Sequence, residues 1–310
     1  MRVFLAGATG AIGGPLVRVL VAEGHQVTGM TRSAAKADAL RAAGAEPAVA
    51  DALDAAAVGK VISEANPDAV IHQLTAIPER LDPRKIVRDF ALTDRLRTDG
   101  TRILVEAARA AGAKRILAQS IAFAYAPGPA GAVHVESDPL TGDPPKQFRR
   151  SADAIAQLER TVLDAGGQVL RYGYFYGPGS AISQAGSMGR EVSRRRLPIV
   201  GGGRGVWSFI HVEDAAHATV AALASERSGV YNIADDEPAP VSEWLPALAA
   251  ALGAPRPMRV PALIARPLAG SYGIATMTKA QGASNALAKR ELGWKPGYPS
   301  WREGFRNGLG

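Results

Sequence analysis

Three glycines near the start of the chain stand at a spacing that could bind a phosphate group. Residues 3–6 are apolar and predict a short buried strand, while the apolar spacing over residues 16–20 predicts a helix. Gly7, Gly10 and Gly13 lie between the two. In this context Gly7 can adopt a left-handed backbone, Gly10 can let a pyrophosphate approach, and Gly13 can let the helix pack against the strand. The pattern therefore predicts a dinucleotide-binding turn.

This turn would present backbone N–H groups and the positive end of a helix dipole to the phosphates. The predicted contacts to the dinucleotide are Gly7, Thr9, Gly10, Ala11, Ile12 and Gly13. The alternative is a glycine-rich turn without a ligand, which the strand before it and the helix after it disfavour.

The end of the second predicted strand, residues 26–31, indicates which dinucleotide binds. An Asp or Glu at this place commonly holds the ribose hydroxyls of NAD(H). This chain instead has Arg32, with Lys36 one turn into the following helix. A guanidinium and an ammonium attract a 2′-phosphate and cannot accept hydrogen bonds from a ribose diol. The sequence therefore favours NADP(H) over NAD(H), the alternative being that both residues are ordinary surface charges.

Residues after the third and fourth predicted strands complete the cofactor site. Asp51 and Ala52 follow the third strand, where the Asp51 carboxylate could accept a hydrogen bond from the adenine amine. Leu74 and Thr75 follow the fourth strand and are predicted to line the nicotinamide side of the cleft. His72, at the end of that strand, is predicted to be a packed histidine rather than an acid or base.

The composition describes a globular protein of 310 residues, 47% of them hydrophobic, and it excludes several classes of function. Without cysteine the chain has neither disulfides nor thiolate sites, and its five histidines show no metal-ligand spacing. The net charge of +7 is spread along the chain, so we expect no nucleic-acid partner. The sequence predicts neither a leader peptide nor a membrane helix, which leads us to expect a cytoplasmic protein without membrane contact.

Strands and helices alternate along the first two thirds of the chain. Further apolar runs predict strands at residues 45–50, 69–72, 116–120, 168–172 and 230–233. Helical patterns separate them, including a long segment from Pro83 to Ala111 and another over residues 154–163. Strands that alternate with long helices imply right-handed crossovers. The predicted fold class is therefore α/β, with a doubly wound parallel sheet.

Taken in order, the motifs of the chain resemble one family over nearly its whole length. They are the GATGAIG turn, Asp51 after the third strand, Asp99-Gly100-Thr101, Gln119-Ser120, Arg171-Tyr172-Gly173, Tyr176-Gly177-Pro178-Gly179, the stretch from Phe209 to Asp214, and the stretch from Glu291 to Pro296. The same order is seen in the extended short-chain dehydrogenases/reductases, the NAD-dependent epimerase/dehydratase family. The resemblance implies a Rossmann-type domain and a smaller C-terminal substrate-binding lobe.

The resemblance also implies how the chain divides and assembles. Residues 1–165 with about 206–235 are predicted to form the dinucleotide-binding domain, and about 166–205 with 236–310 the substrate-binding lobe. Prolines at short intervals delimit short helices in the last third of the chain. Relatives form a dimer through helices of the type predicted near residues 83–111 and 147–163, so we expect a homodimer.

The catalytic residues of the family are only partly present. Members usually carry a Ser or Thr after the fifth strand and a Tyr-x-x-x-Lys pair on the next long helix, where the lysine lowers the pKa of the tyrosine. Ser120 is the nearest match to the first, and Ile121 is the alternative occupant of that place. Phe148 and Ala152 stand where the Tyr and Lys are expected, and no Tyr-x-x-x-Lys occurs in the chain.

Three explanations of the missing pair compete. In the first, a different residue serves as the proton donor, with Tyr125 the first candidate and Tyr174, Tyr176 and His134 the others. In the second, the scaffold supports a reaction other than standard redox chemistry. In the third, the protein binds NADP(H) without turnover and acts as a sensor for a partner.

Aromatic residues after the sixth strand are candidates for the remaining contacts. Tyr172 is predicted to contact the cofactor, and Tyr176 and Trp207 to contact a substrate. Trp207 suits an apolar or aromatic substrate and could equally belong to the core. The leading prediction is an NADP(H)-dependent oxidoreductase or epimerase that acts on a small hydroxyl or carbonyl compound, with Ser120 orienting the substrate oxygen.

Overall fold

Seven parallel strands form a central sheet in the computed structural model, which describes residues 1–79, 82, 85–129 and 131–310. In chain order the strands are β1 (Arg2–Ala6), β2 (Gln26–Thr31), β3 (Glu46–Val49), β4 (Ala69–His72), β5 (Arg115–Ile121), β6 (Val133–His134), β7 (Gln168–Tyr172), β8 (Tyr174–Tyr176), β9 (Ile199–Val200), β10 (Val206–Trp207), β11 (Phe209–His211), β12 (Gly229–Ile233), β13 (Ala239–Pro240), β14 (Arg259–Val260) and β15 (Gly282–Ala283). The sheet has the order β12-β7-β5-β4-β1-β2-β3, and the remaining strands form two-stranded pairs.

Helices connect these strands and cover the sheet. They are α1 (Gly13–Ala22), α2 (Ala37–Ala42), α3 (Ala55–Ala65), α4 (Ile86–Arg95), α5 (Thr101–Ala110), α6 (Arg149–Leu163), α7 (Ser187–Ser193), α8 (Val212–Ala224), α9 (Val241–Ala251), α10 (Ala262–Thr278), α11 (Ala286–Leu292) and α12 (Trp301–Asn307). Short 3₁₀ turns occupy Ala34–Lys36 and Lys146–Phe148, and a π-helical turn, Leu96–Gly100, joins α4 to α5. In the described ranges, no helix combines the length and the apolar character needed to cross a membrane.

The strand order reverses at β1, which pairs with β2 on one side and with β4 on the other. Leu5 in its centre stands opposite Gly29 of β2 and Ile71 of β4. In open parallel sheets, ligands bind in the crevice outside the carboxyl ends of the strands at such a reversal. The predicted fold class is confirmed, and the crevice lies where the glycine-rich turn begins.

Two apolar layers cover the faces of the sheet, because successive residues of a strand point to opposite sides. On one face Leu5 packs in a cluster with Leu16 of α1 and Ala218 of α8. On the other face Phe4 packs in a cluster with Ile103 of α5. The helices therefore pack on both faces of the sheet and position the residues that follow the strands.

A smaller lobe with an aromatic core follows the ends of β7 and β12. Its core contains Tyr176, Phe209, Trp244 and Trp301. The lobe does not begin at residue 166 as predicted, because β7 is buried at every residue and pairs with β5 and β12 inside the central sheet. Residues 206–211, predicted to belong to the dinucleotide-binding domain, form β10 and β11, which pair with β13 and β8 outside that sheet.

Two predicted helices begin or continue differently in the structure. The helical segment expected from Pro83 starts at Ile86 in α4, Pro83 itself lies outside the described residues, and the π-helical turn interrupts the segment before α5. Helix α6 starts at Arg149 rather than at residue 154. A π-helical turn adds a residue to a helix turn and is often found at functional sites. Arg97 stands in this turn.

Candidate active site

The glycine-rich turn after β1 has the shape that a diphosphate needs. Gly7 has φ +93°, and a Cβ there would stand 2.7 Å from the Gln73 carbonyl oxygen. A Cβ on Gly13 would stand 2.1 Å from the Gly7 carbonyl oxygen, so neither glycine can be replaced without movement. The Gly10 N–H donates to that same oxygen at 3.0 Å, and Gly10 is exposed. The turn therefore brings exposed backbone close to the start of α1, whose first turn holds no acidic residue.

The six residues predicted to contact the dinucleotide differ in their exposure to solvent. Gly10 is exposed, Gly7, Thr9 and Ala11 are half-buried, and Ile12 and Gly13 are buried. Ile12 and Gly13 can therefore support cofactor binding only through backbone groups and packing.

Two unpaired cations stand beyond the end of β2. Arg32 follows the last residue of the strand, and Lys36 ends the short 3₁₀ turn after it. Both side chains are exposed, and neither forms a hydrogen bond or an ion pair with a residue that the structure describes. An anion at this strand end would therefore meet two charges that no carboxylate neutralises.

The residues after β3 and β4 lie along the same crevice. Asp51 is exposed, and its Oδ1 accepts a hydrogen bond from the Leu53 N–H at 3.0 Å, while Ala52 beside it is buried. Leu74 is half-buried, and Thr75 is exposed. Asp51, Leu74 and Thr75 thus face solvent at strand ends where a dinucleotide would lie.

Ser120 and Tyr125, the two predicted catalytic residues, meet in a buried network. Ser120 Oγ donates to Glu159 Oε1 at 2.6 Å, and Arg171 donates to the two Glu159 oxygens at 2.9 and 2.6 Å. Arg171 also donates to Tyr125 Oη at 2.8 Å, and Tyr125 donates to Asn232 Oδ1 at 2.6 Å. Burial raises the pKa of Tyr125. These bonds engage both hydroxyls in compensating a buried ion pair.

Tyr172 and Tyr176 lie in the core rather than on the crevice. Both are fully buried. The Tyr172 hydroxyl is held by Thr219 Oγ1 at 2.6 Å and by Gln73 Nε2 at 3.1 Å, and burial raises its pKa to about 12. Tyr176 packs edge-on against Phe209 and Phe305. The structure therefore does not support a direct cofactor contact by Tyr172 or a direct substrate contact by Tyr176, because core packing covers both rings.

Trp207 belongs to a stack of three aromatic rings. Tyr174 lies between Phe123 and Trp207, with ring centroids 4.2 and 3.8 Å away. Trp207 is buried, and its indole N–H donates to the Thr276 carbonyl oxygen at 2.9 Å. The Tyr174 hydroxyl is buried without a hydrogen-bond partner among the described residues. Trp207 therefore forms the buried end of this aromatic stack.

The residues at the predicted proton-relay positions come together in an apolar cluster. Ile121, Phe148 and Ala152 are all buried in it, and Phe123 packs against it from the stack. Phe148 stacks on Tyr272 of α10, with 4.7 Å between the ring centroids. Ile121, Phe148 and Ala152 carry no group that can transfer a proton.

Two polar residues beside this cluster were not predicted from the sequence. Tyr272 comes from α10, far along the chain from Phe148, and no local pattern could place it there. Arg97, in the π-helical turn, is 4% exposed. It stands three residues after Asp94 and seven after Phe90, both also buried. This helical spacing was the available signal that Arg97 points inward.

The histidines considered as acids or bases have structural partners. His72 is buried between the Thr101 hydroxyl at 3.0 Å and the Leu74 N–H at 3.1 Å, and burial lowers its pKa to about 4. His134, an alternative proton donor, contacts Asp138 at 2.9 Å and stacks on Tyr125. In the part of the chain that the structure describes, no cluster of three or more His, Cys, Asp or Glu residues could hold a metal.

Comparison with known proteins identifies the family of the chain. The model of the NAD dependent epimerase/dehydratase family matches residues 3–234. The chain belongs to this family. A 3-diazoavenalumate denitrifying reductase from a Streptomyces species is 49% identical to this epimerase/dehydratase family member over 315 residues, which cover 98% of this chain and 99% of the relative.

Solved structures of the family share the fold over its full length. The UDP-glucose 4-epimerase of Thermus thermophilus in complex with NAD has a TM-score of 0.77 and 25% identity, and the match covers 100% of this chain and 98% of that one. A human epimerase family protein with NADPH has a TM-score of 0.75 at 19% identity, with coverage of 100% and 99%. The predicted family resemblance is confirmed, and the chain is an NAD(P)-dependent short-chain dehydrogenase/reductase-like enzyme.

Proposed function

We propose that this protein is an NADP(H)-dependent reductase whose substrate is reduced without a proton from a Tyr-Lys pair. The observation that carries the proposal is the apolar cluster of Ile121, Phe148 and Ala152. We place these residues at the positions where the family commonly has Ser or Thr, Tyr and Lys. Reduction of a carbonyl needs a proton as well as a hydride, and this cluster has none to give.

The 49% identical relative points to an acceptor that needs only a hydride. Its name describes a reductase that acts on a diazo compound and is denitrifying. When a hydride adds to an aromatic carbon that carries a diazonium group, a C–H bond forms, the C–N bond breaks, and N₂ leaves with the bonding electrons. No proton is consumed in that step. An aromatic diazo compound is therefore the substrate class we propose.

The residues around the crevice fit the cofactor that this chemistry requires. A bound NADPH would supply the hydride. The glycine-rich turn would hold its diphosphate, and Arg32 with Lys36 would hold the 2′-phosphate. Asp51 would accept from the adenine amine, and Leu74 and Thr75 would flank the nicotinamide.

A second candidate keeps the small hydroxyl or carbonyl substrate predicted from the sequence. The Tyr174 hydroxyl favours it, because this hydroxyl is buried without a partner among the described residues. Burial holds the pKa of Tyr174 well above its usual value, so the phenol keeps its proton at neutral pH. Such a group can donate a hydrogen bond to a carbonyl oxygen.

One experiment separates these candidates from a regulator that only binds the cofactor. The protein is mixed with NADPH and either 3-diazoavenalumate or a panel of ketones and aldehydes, and loss of the reduced-nicotinamide absorbance is followed. We expect oxidation of NADPH with release of N₂ from the diazo compound. Turnover of ketones alone would support the second candidate. Saturable NADPH binding without turnover of any compound would favour the regulator and contradict both reductase proposals.

We also propose that the protein forms a homodimer through α4 and α6, which pack side by side. Val87 on α4 is 45% exposed, an apolar side chain available to a second copy. Light scattering should give about twice the monomer mass, and Val87→Asp should shift the protein towards the monomer. A monomeric wild-type protein would contradict the proposal.

A further inference from the structure

A buried guanidinium that forms no hydrogen bond to a described residue lies beside the apolar cluster. The Arg97 side chain is 5% exposed, and its Nη1 is buried with no hydrogen-bond partner among the described residues. None of its N–H groups donates to a residue that the structure describes. A guanidinium carries five N–H donors, and burying them unpaired is costly. Something other than the described protein residues is therefore expected to accept from Arg97.

The nearest acid gives Arg97 only partial compensation. Asp94 Oδ1 is 4.0 Å from Arg97 Nη1 and is itself without a hydrogen-bond partner in the described part of the chain. The second oxygen, Asp94 Oδ2, accepts from Ser151 Oγ at 3.1 Å instead. Ser151 is the residue before Ala152 on α6, so this pair borders the cluster. Asp94 thus balances the charge at a distance and leaves the N–H groups of Arg97 for a ligand.

One phenol, Tyr272, lies near Arg97, and a second, Tyr174, lies near Tyr272. The Tyr272 ring stacks on Phe148 and brings its hydroxyl near Arg97, whose charge offsets part of the burial effect on the Tyr272 pKa, which is raised to about 12. The Tyr272 hydroxyl forms no hydrogen bond to a described residue, and neither does that of Tyr174. Arg97 and two hydroxyls that lack a described partner therefore lie among stacked aromatic rings.

We infer that Arg97 binds the carboxylate of an aromatic substrate, with Tyr272 as a second donor and the apolar cluster around Phe148 beside the substrate ring. A guanidinium fork matches the two oxygens of a carboxylate, and aromatic rings favour a planar ligand. This assignment rests on the proposed function, because it gives the substrate class of the same site. It makes Arg97 a specificity-determining residue.

Ligand binding to the protein saturated with NADP⁺ tests the assignment. Calorimetry compares trans-cinnamate with cinnamamide, its uncharged counterpart. We expect the wild-type complex to bind cinnamate about tenfold more tightly than the amide, as a charge-assisted hydrogen bond provides. Arg97→Gln should abolish this preference, Arg97→Lys should retain part of it, and Tyr272→Phe should weaken cinnamate binding more than amide binding.

Exposed Arg95, two residues earlier at the end of α4, gives the matched control. Arg95→Gln should leave the preference for cinnamate unchanged. Thermal unfolding and NADP⁺ titration establish that each variant is folded, and if Arg97→Gln does not fold, Arg97→Lys and Tyr272→Phe decide. Equal binding of acid and amide, no binding of either, or a preference that survives in Arg97→Gln would overturn the inference. Failure of the wild-type protein to bind NADP⁺ would instead contradict the proposed function.

Discussion

Glu159 on α6 and Arg171 on β7 form a two-pronged ion pair that joins helix to sheet. Both side chains are buried, and the two hydrogen bonds measure 2.6 and 2.9 Å. Ser120 and Tyr125 complete the hydrogen bonding of this pair. The hydroxyls at and after the end of β5 thus satisfy a buried ion pair that joins helix to sheet.

Glu159→Gln should destabilise the protein strongly, because it leaves Arg171 buried without its counter-charge. The expected loss is about 3–5 kcal/mol in the free energy of unfolding, measured by urea denaturation. Glu106→Gln is the control, since Glu106 pairs with Arg102 on the surface of α5 at 2.9 Å, and its loss should be below about 0.5 kcal/mol. Similar losses in the two variants would show that the buried ion pair stabilises the protein no more than the exposed one.

Arg32→Asp should change the preference between the two dinucleotides. Removal of the cation and addition of an anion should weaken NADP⁺ binding about tenfold or more, and NAD⁺ binding should change little. Fluorescence titration with both nucleotides measures the effect. Lys114→Asp makes the same charge change just before β5, at the amino ends of the strands and away from the crevice. It should affect neither nucleotide. Equal weakening of NADP⁺ and NAD⁺ by Arg32→Asp would remove the case for a 2′-phosphate site.

We expect Asp235 to make the stability of the protein depend on pH. The residue is 1% exposed after β12, its Oδ2 has no hydrogen-bond partner in the described structure, and burial raises its pKa to about 8. Between about pH 4 and pH 8 the folded protein keeps this proton while the unfolded chain releases it. Stability should therefore fall by about 1.4 kcal/mol per pH unit across this window and level off above it.

Asp235→Asn should remove that dependence and raise the melting temperature at pH 8 more than at pH 5. Asp236→Asn is the neighbouring control. Hydrogen bonds from Asn285 and Lys289 outweigh burial and hold the pKa of Asp236 below its usual value, so this change should destabilise the protein slightly. A gain for Asp235→Asn that is equal at both pH values would contradict the assigned protonation.

The fold was largely predictable because its signals are local. The apolar runs predicted β2, β4 and β7 with their observed bounds, and the glycine spacing located the turn before α1. The N-cap of α3 is equally local, since the Asp54 side chain accepts a hydrogen bond from the Ala57 N–H three residues along the chain. Local patterns such as these need no knowledge of the rest of the chain.

The candidate site was less predictable because it depends on distant contacts. Tyr125 donates a hydrogen bond to Asn232, and Phe148 stacks on Tyr272. In each pair the two residues are more than a hundred positions apart in the sequence. Nothing near Tyr172 in the sequence reveals that Thr219 and Gln73 hold its hydroxyl in the core. An aromatic residue beside a strand end therefore predicts a crevice contact and core packing equally well.

Transfer of hydrogen from NADPH to the substrate carbon tests the central claim most directly. The protein is incubated with 3-diazoavenalumate and NADPH deuterated at its transferable position, and the product is analysed by mass spectrometry and NMR. We predict one deuterium at the carbon that lost nitrogen, and none when unlabelled NADPH is used in D₂O. Product without deuterium from the cofactor, or deuterium that comes from the solvent, would contradict direct hydride transfer at this site.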